Sequence, residues 1–261
     1  GVRNSFDKKT LRWRKNKILS PYKDPAPDAA FNYSGKVKGL VSIPLPYNSI
    51  IDVDSLRSTS DIDISRDQYG AFYAKSESLQ EFSFNFGGQD FIEPENHTEF
   101  TEPLFNASLT ADTEQVLKSA ATLPDYEDRA DAIQDYIRTK YTYNVSAQGS
   151  LYNGSSGSDN YFQNIDKARQ LECYTSNTFF VGLCRRIGVP ARLISGHFIS
   201  ARNTDGTSHI NRNTGHAWSE IWTGHEWVRK DATPPGSAEE FREEYDQVRE
   251  PDDEGLQELQ E

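Results

Sequence analysis

Three residues in the stretch 172–233 could form one reactive unit: Cys173, His216 and Asp231. A thiol attacks a carbonyl only as a thiolate or beside a base that takes its proton. Histidine suits that base near neutral pH, and a carboxylate can hold the imidazole in the working tautomer. Such a set carries acyl transfer through a thioester, with no cofactor required.

Two elements must position these side chains. The runs GHAWSEIW (215–222) and HEWVRKDAT (225–233) are rich in aromatic and β-branched residues, and Thr223-Gly224 lies between them, which reads as a β-hairpin. If Trp222 pairs with His225 across the turn, His216 sits directly opposite Asp231. Their Cβ atoms would then be roughly 4.5–5.5 Å apart, within reach of a hydrogen bond. A loop of two or four residues is expected to keep this register, and one of three to destroy it. Upstream, Phe179, Phe180, Leu183 and Ile187 recur at helical spacing, and Gly188 with Pro190 is a helix stop. Cys173 therefore stands at the first turn of a buried helix. Free backbone N–H groups there are expected to favour a thiolate and to serve the oxyanion of a tetrahedral intermediate. The helix must then face the hairpin.

Residues 127–235 resemble a transglutaminase-like core. In that family a cysteine-headed helix ends in Gly-Ile/Val-Pro-Ala-Arg, matched by Gly188-Val189-Pro190-Ala191-Arg192. A strand with His-Ala-Trp-x-Glu follows, matched by His216-Ala217-Trp218-Ser219-Glu220, and then Trp-Val-x-x-Asp-x-Thr-Pro, matched by Trp227 to Pro234. The resemblance implies Cys173 as nucleophile, His216 as base and Asp231 as orienting acid. It also implies an α+β, papain-like fold: a Cys-headed helix packed on an antiparallel sheet, preceded here by a small β-rich domain. Tyr174, beside the nucleophile, and Trp218 and Trp227, at family positions, are the expected substrate contacts. The chain departs from bacterial members around the nucleophile. They commonly have Gly before the cysteine and Glu-His/Asp-Tyr/Phe-Ala after it, where this sequence has Glu172 and Tyr174-Thr175-Ser176.

The remaining sequence divides into four parts. Residues 1–30 are basic, then Pro-rich. Residues 31–106 are β-like, with strands expected over Lys36–Leu45, Tyr69–Ala74 and the alternating Phe82–Phe86 run. Residues 107–237 form the expected catalytic core, with helices over 111–123 and 126–141. Residues 238–261 form an acidic tail of eleven acids and two arginines, so nine of the chain's twelve net negative charges lie there. Gly149–Asn160 reads as a flexible polar loop, either a solvated connection or a mobile lid. Phe6-Asp7 with Trp13, Pro44-Leu45-Pro46 and Tyr69-Gly70 resemble the soluble region of bacterial membrane-anchored transglutaminase-like proteins, where a β-rich segment precedes the catalytic core between membrane helices.

Several function classes are set aside. Nothing suggests a nucleic-acid surface, because the basic cluster at the start reads as a solvated terminus. The two cysteines and the histidines at 197, 209 and 216 form no C-x-x-C or H-x-x-x-H pair, so no metal is expected. Cys173 and Cys184 lie on one helix roughly 16 Å apart, too far for a disulfide. No apolar run is long enough to span a bilayer, and the chain has no methionine. It is therefore expected to be a processed product or an excised region of a membrane-anchored protein, placed in the periplasm or at the cell surface. The expected partner is a peptide or protein substrate. The expected reaction is hydrolysis by water (peptidase or amidase) or transfer to an amine (protein-glutamine crosslinking). A non-catalytic binding module on the same fold is the alternative.

Overall fold

Period-two alternation makes the first third of the chain a sheet, and helical periodicity makes the rest a helix layer on a smaller sheet. The computed structural model describes residues 2–3, 5–14, 19–22, 31–46, 49–88, 98–146, 149, 151, 155–198, 207–211 and 214–236. Strands β1 (Val2–Arg3), β2 (Ser5–Asp7) and β3 (Arg12–Arg14) come first, then β4 (Leu19–Pro21), β5 (Phe31–Ile43), β6 (Ser49–Ser58), β7 (Asp63–Asp67) and β8 (Phe72–Gly88). The last five form one antiparallel sheet, ordered β4-β7-β8-β5 with β6 also paired to β8. The runs Tyr69–Ala74 and Phe82–Phe86, read as two strands, belong to β8 from Phe72 onward. The polar stretch between them stays extended because β5 pairs along both halves, from Phe31↔Phe86 to Ile43↔Phe72. Phe82 and Phe84 face a core with Tyr22, Val37, Ile51 and Phe72, and Tyr33 stacks on Phe84 at 5.1 Å.

A second core lies under the helices α1 (Ala111–Ala120), α2 (Tyr126–Lys140), α3 (Ser158–Ala168) and α4 (Cys173–Arg186). Short strands β9 (Thr142–Tyr143) and β10 (Gln170–Leu171) pair in parallel at its side. The helices pack on an antiparallel sheet of order β1-β11-β12-β13, in which β11 spans Ala191–His197, β12 Gly215–Trp222 and β13 Trp227–Lys230. The N-terminal stretch enters this core. Val2 and Arg3 pair with Ile194 and Leu193, while Phe6, Leu11 and Trp13 are buried in the helical core. Trp13 Nε1 donates to Thr178 Oγ1 on α4 at 3.0 Å.

Helix α3 corrects the loop expected over 149–160: the chain is helical from Ser158, and Gly149 and Leu151 are helical too, with Leu151 buried in the same core. Tyr161, Phe162 and Ile165 are fully buried, and their i, i+1, i+4 spacing supplies the apolar face that draws Ser158–Asn160 into a helix. Residues 147–148, 150 and 152–154 of that region and the acidic segment 238–261 lie outside the described residues. Among the described residues, no helix is long and apolar enough to cross a membrane.

Helix α4 is the centre of the domain, buried on all sides from Thr175 to Arg185. It ends where Gly188 adopts φ 79°, with Val189 N–H donating to Cys184 O and Gly188 N–H to Arg185 O. That is the paired closure expected of a glycine-capped helix, and it satisfies two orphan carbonyls. Gly182 sets the spacing to α3: a Cβ there would lie 2.3 Å from Cε1 of Phe162. The Phe162 ring is fully buried and stacked on Phe105 at 4.2 Å, so it cannot swing away. Gly182→Ala is accordingly expected to cost about 1–3 kcal/mol by overpacking. Thermal melting checks this, and an unchanged midpoint would show that the helices separate freely.

Candidate active site

The hairpin closes through a four-residue loop, Thr223–Glu226, with Trp222 opposite Trp227 and Ser219 opposite Lys230. The expected register is therefore corrected by two positions, and His216 is not directly opposite Asp231. A four-residue loop preserves which face each side chain takes but not the pairing partner. Strand β13 ends at Lys230, short of the partners for His216 and Ala217. Trp222 N–H bonds to Pro190 O on the β11 side, so by alternation Ala217 turns its N–H and C=O toward the β13 side, past the end of that strand. Helix α4 fills this gap. The Cys173 thiol takes a hydrogen bond from the Ala217 backbone, and Asn177 Nδ2 donates to Ala217 O at 3.0 Å. The nucleophile candidate thus rests against the residue that follows His216.

Asp231 reaches His216 diagonally: Nε2 of His216 lies 2.7 Å from Oδ2 of Asp231. Burial alone would raise the Asp231 carboxyl. Hydrogen bonds from His216, Thr233 and Asn177 overcome that and bring it down to about 2. An ionised carboxylate only accepts, so the neutral ring carries its proton on Nε2 and keeps its lone pair on Nδ1. The other carboxylate oxygen, Oδ1, accepts from Asn177 Nδ2, Thr233 N–H and Thr233 Oγ1 at 3.1, 3.1 and 2.5 Å. Asn177, fully buried, also donates to Cys173 O, and its Oδ1 accepts from Ser219 Oγ and Ala232 N–H. It ties α4, β12 and the segment after β13 to one amide. Its polarity inside an otherwise apolar helix, four residues after Cys173, was the available sequence signal.

Helix α2 fixes Asp231 from the other side. Gln134 Oε1 accepts from Asp231 N–H at 2.9 Å and Arg138 donates to Asp231 O at 3.1 Å, while Lys230 Nζ pairs with Glu127 and Asp131 at 3.0 and 2.5 Å. Positions 127, 131, 134 and 138 share one helical face. The apolar stripe of α2 is legible in the sequence as core; the role of this polar stripe beside it is not.

The electrostatics at Cys173 differ from the expectation of a thiolate favoured by free amides. The Glu172 carboxylate folds back as the helix cap, accepting from Tyr174 N–H at 2.6 Å and Thr175 N–H at 2.7 Å and from the Thr175 hydroxyl. Two of the first-turn amides are therefore already taken. Burial, and then the negative charge of Glu172, push the Cys173 thiol up to about 12, against the pull of the Ala217 hydrogen bond. Cys184 is fully buried, and burial raises its thiol as well.

Of the expected substrate contacts, Trp218 lies beside the site, stacked on His216 at 6.2 Å and 22° and capped by the Arg229 guanidinium at 5.0 Å. Its ring occupies the space over Gly196, where a Cβ would come within 2.8 Å of the indole. Trp227 instead packs with Phe100 at 5.1 Å and under Arg192 at 3.9 Å, and Arg192 pairs with Glu220. Tyr69, from the turn before β8, joins the same cluster, linking the β-rich sheet to the outer face of the smaller one. Tyr174 is half-buried, with its N–H committed to Glu172.

Comparison with known proteins agrees with this architecture. Residues 114–232 match the transglutaminase-like superfamily. The periplasmic domain of TgpA from Pseudomonas aeruginosa superposes with TM-score 0.53 at 12% identity, over 88% of this chain and 79% of that one. The same domain bound to ethylmercury gives 0.51 at 14% identity, over 92% and 84%. These likenesses show a shared fold. No curated protein matches the sequence.

Proposed function

The chain carries a transglutaminase-like core, and on that premise we propose that it performs cysteine-dependent acyl transfer on peptide or protein amides. The observation that carries this reading is the meeting of three segments at one point of β12. Cys173 touches the backbone of Ala217, and the preceding residue, His216, is held by Asp231. Sγ of Cys173 attacks the amide carbonyl while its proton passes to Nδ1 of His216. The C–N bond then breaks, and the same proton leaves on the departing amine. The thioester is resolved by water, giving a carboxylate, or by a second amine, giving a new amide. In either case His216 takes the incoming nucleophile's proton and returns it to the sulfur. The catalytic unit is read as 107–237, with 31–106 supporting or presenting substrate. Likeness to a periplasmic domain supports an extracytoplasmic placement, and a membrane-anchored parent is part of the proposal.

The test is incubation with glutamine-containing peptides, with and without an amine, read by intact-protein and product mass. The acyl-enzyme and product are expected with the native chain and not with Cys173→Ala. Turnover that survives Cys173→Ala would sink the proposal. The protonated, carboxylate-flanked thiol favours one second reading, a binding module on this fold. That reading requires peptide affinity equal in both proteins and turnover in neither.

A further inference from the structure

We infer that Glu172 is a positioning residue that keeps Cys173 as a neutral thiol in the resting protein, by holding a buried carboxylate on the amides at the head of α4. The inference deepens the reading of Cys173 as nucleophile and rests on it. Three observations carry it. The carboxylate is 8% exposed, so its charge is poorly screened by water. It is fixed at 2.6 and 2.7 Å on the amides of Tyr174 and Thr175, with the buried Thr175 hydroxyl as a third donor, so its charge is held at the head of α4. It is also the residue adjoining the nucleophile, so the positive end of the helix is neutralised where a thiolate would draw on it.

Among the described residues, the charged and titratable groups around the thiol are Glu172 before α4, His216 on β12, Asp231 after β13 and Tyr174 on α4, with Arg138 of α2 donating to Asp231 O at 3.1 Å. Arg229 lies 3.9 Å from Asp231 with its side chain more than half exposed, so its charge is screened. Both fixed carboxylates therefore oppose a thiolate, and His216 is the group that can relieve it by taking the proton. The sulfur consequently becomes nucleophilic when that transfer accompanies attack on a bound carbonyl. At rest it resists oxidants and alkylating agents, which attack the thiolate.

The experiment is the pH dependence of Cys173 alkylation by iodoacetamide, read by peptide mass spectrometry, in the native chain, Glu172→Gln and Glu172→Ser. Glutamine keeps an acceptor for the amides and removes the charge, and serine is a neutral helix cap that keeps the test open should glutamine misfold. The native rate is expected to climb without a plateau through pH 9. Glu172→Gln is expected to raise the rate at pH 7 by about tenfold and move the profile toward acid. Superimposable profiles in the native chain and both variants would overturn the inference and leave Glu172 a helix cap alone. The readout is chemical reactivity rather than turnover. A shifted profile without peptide turnover would therefore uphold Glu172's effect on the thiol and defeat the enzyme reading, while turnover with an unshifted profile would do the reverse.

Discussion

Asp231→Asn is expected to lower kcat/KM by about 10³–10⁴-fold while leaving the fold intact, because the new amide can sit in one orientation only. Three donors converge on Oδ1 of Asp231: the Asn177 amide, the Thr233 N–H and the Thr233 hydroxyl. The substituted amide must place its oxygen there and its NH₂ where Oδ2 faces Nε2 of His216. The imidazole then has to accept at Nε2, which moves its proton to Nδ1 and removes the lone pair that takes the thiol proton. Imidazole nitrogen shifts by NMR should report the switched tautomer. Activity within tenfold of the native chain would show that Asp231 does not set the ring's proton. The signature differs from simple destabilisation, since the variant should melt within a few degrees of the parent and still bind peptide.

The reason this pair could be read from sequence, and its geometry could not, lies in what each feature depends on. The glycine-capped end of α4, the strand-forming runs around Thr223-Gly224 and the nucleophile's place at a helix start are local properties of ten or so residues, and they were legible. The hairpin register depends on whether the turn closes over two residues or four, and both suit the same composition; the choice moved the partner of His216 by two. The contact of Cys173 with Ala217 lies past the end of β13 at Lys230, whose ammonium pairs with Glu127 and Asp131 about a hundred residues away. Helix α3 was hidden behind a Gly/Ser-rich stretch, since only burial against Gly182 and Phe105 reveals what Phe162 is for. Glu172 was visible as a departure from the family pattern, but its reach over the first-turn amides needed the backbone in place.

Asn177→Ala should be the most damaging single change outside the three reactive residues, affecting stability and chemistry together. Truncation leaves the buried Ala217 carbonyl and Ala232 N–H without the amide that pairs with them. Each such loss costs about 1–3 kcal/mol, so about 2–6 kcal/mol in all is expected, seen as a lower denaturant midpoint with an unchanged slope. The chemical effect can be separated by pH. Asp231 is depressed in the folded chain, to about 2, so its stabilisation is fully present above the ordinary carboxylate value and is lost as pH falls through about 2. Asn177 supplies one of the donors that depress it. Without that donor the folded value rises toward the unfolded one, so less stability is lost between the two values and the deficit against the native chain shrinks as pH falls. A residue that merely filled space would lower stability equally at every pH. A deficit that stays constant at every pH would therefore reduce Asn177 to packing, whereas a deficit that shrinks as pH falls toward about 2, with turnover reduced further than peptide binding, would establish it as the clamp that holds Asp231 to the head of α4.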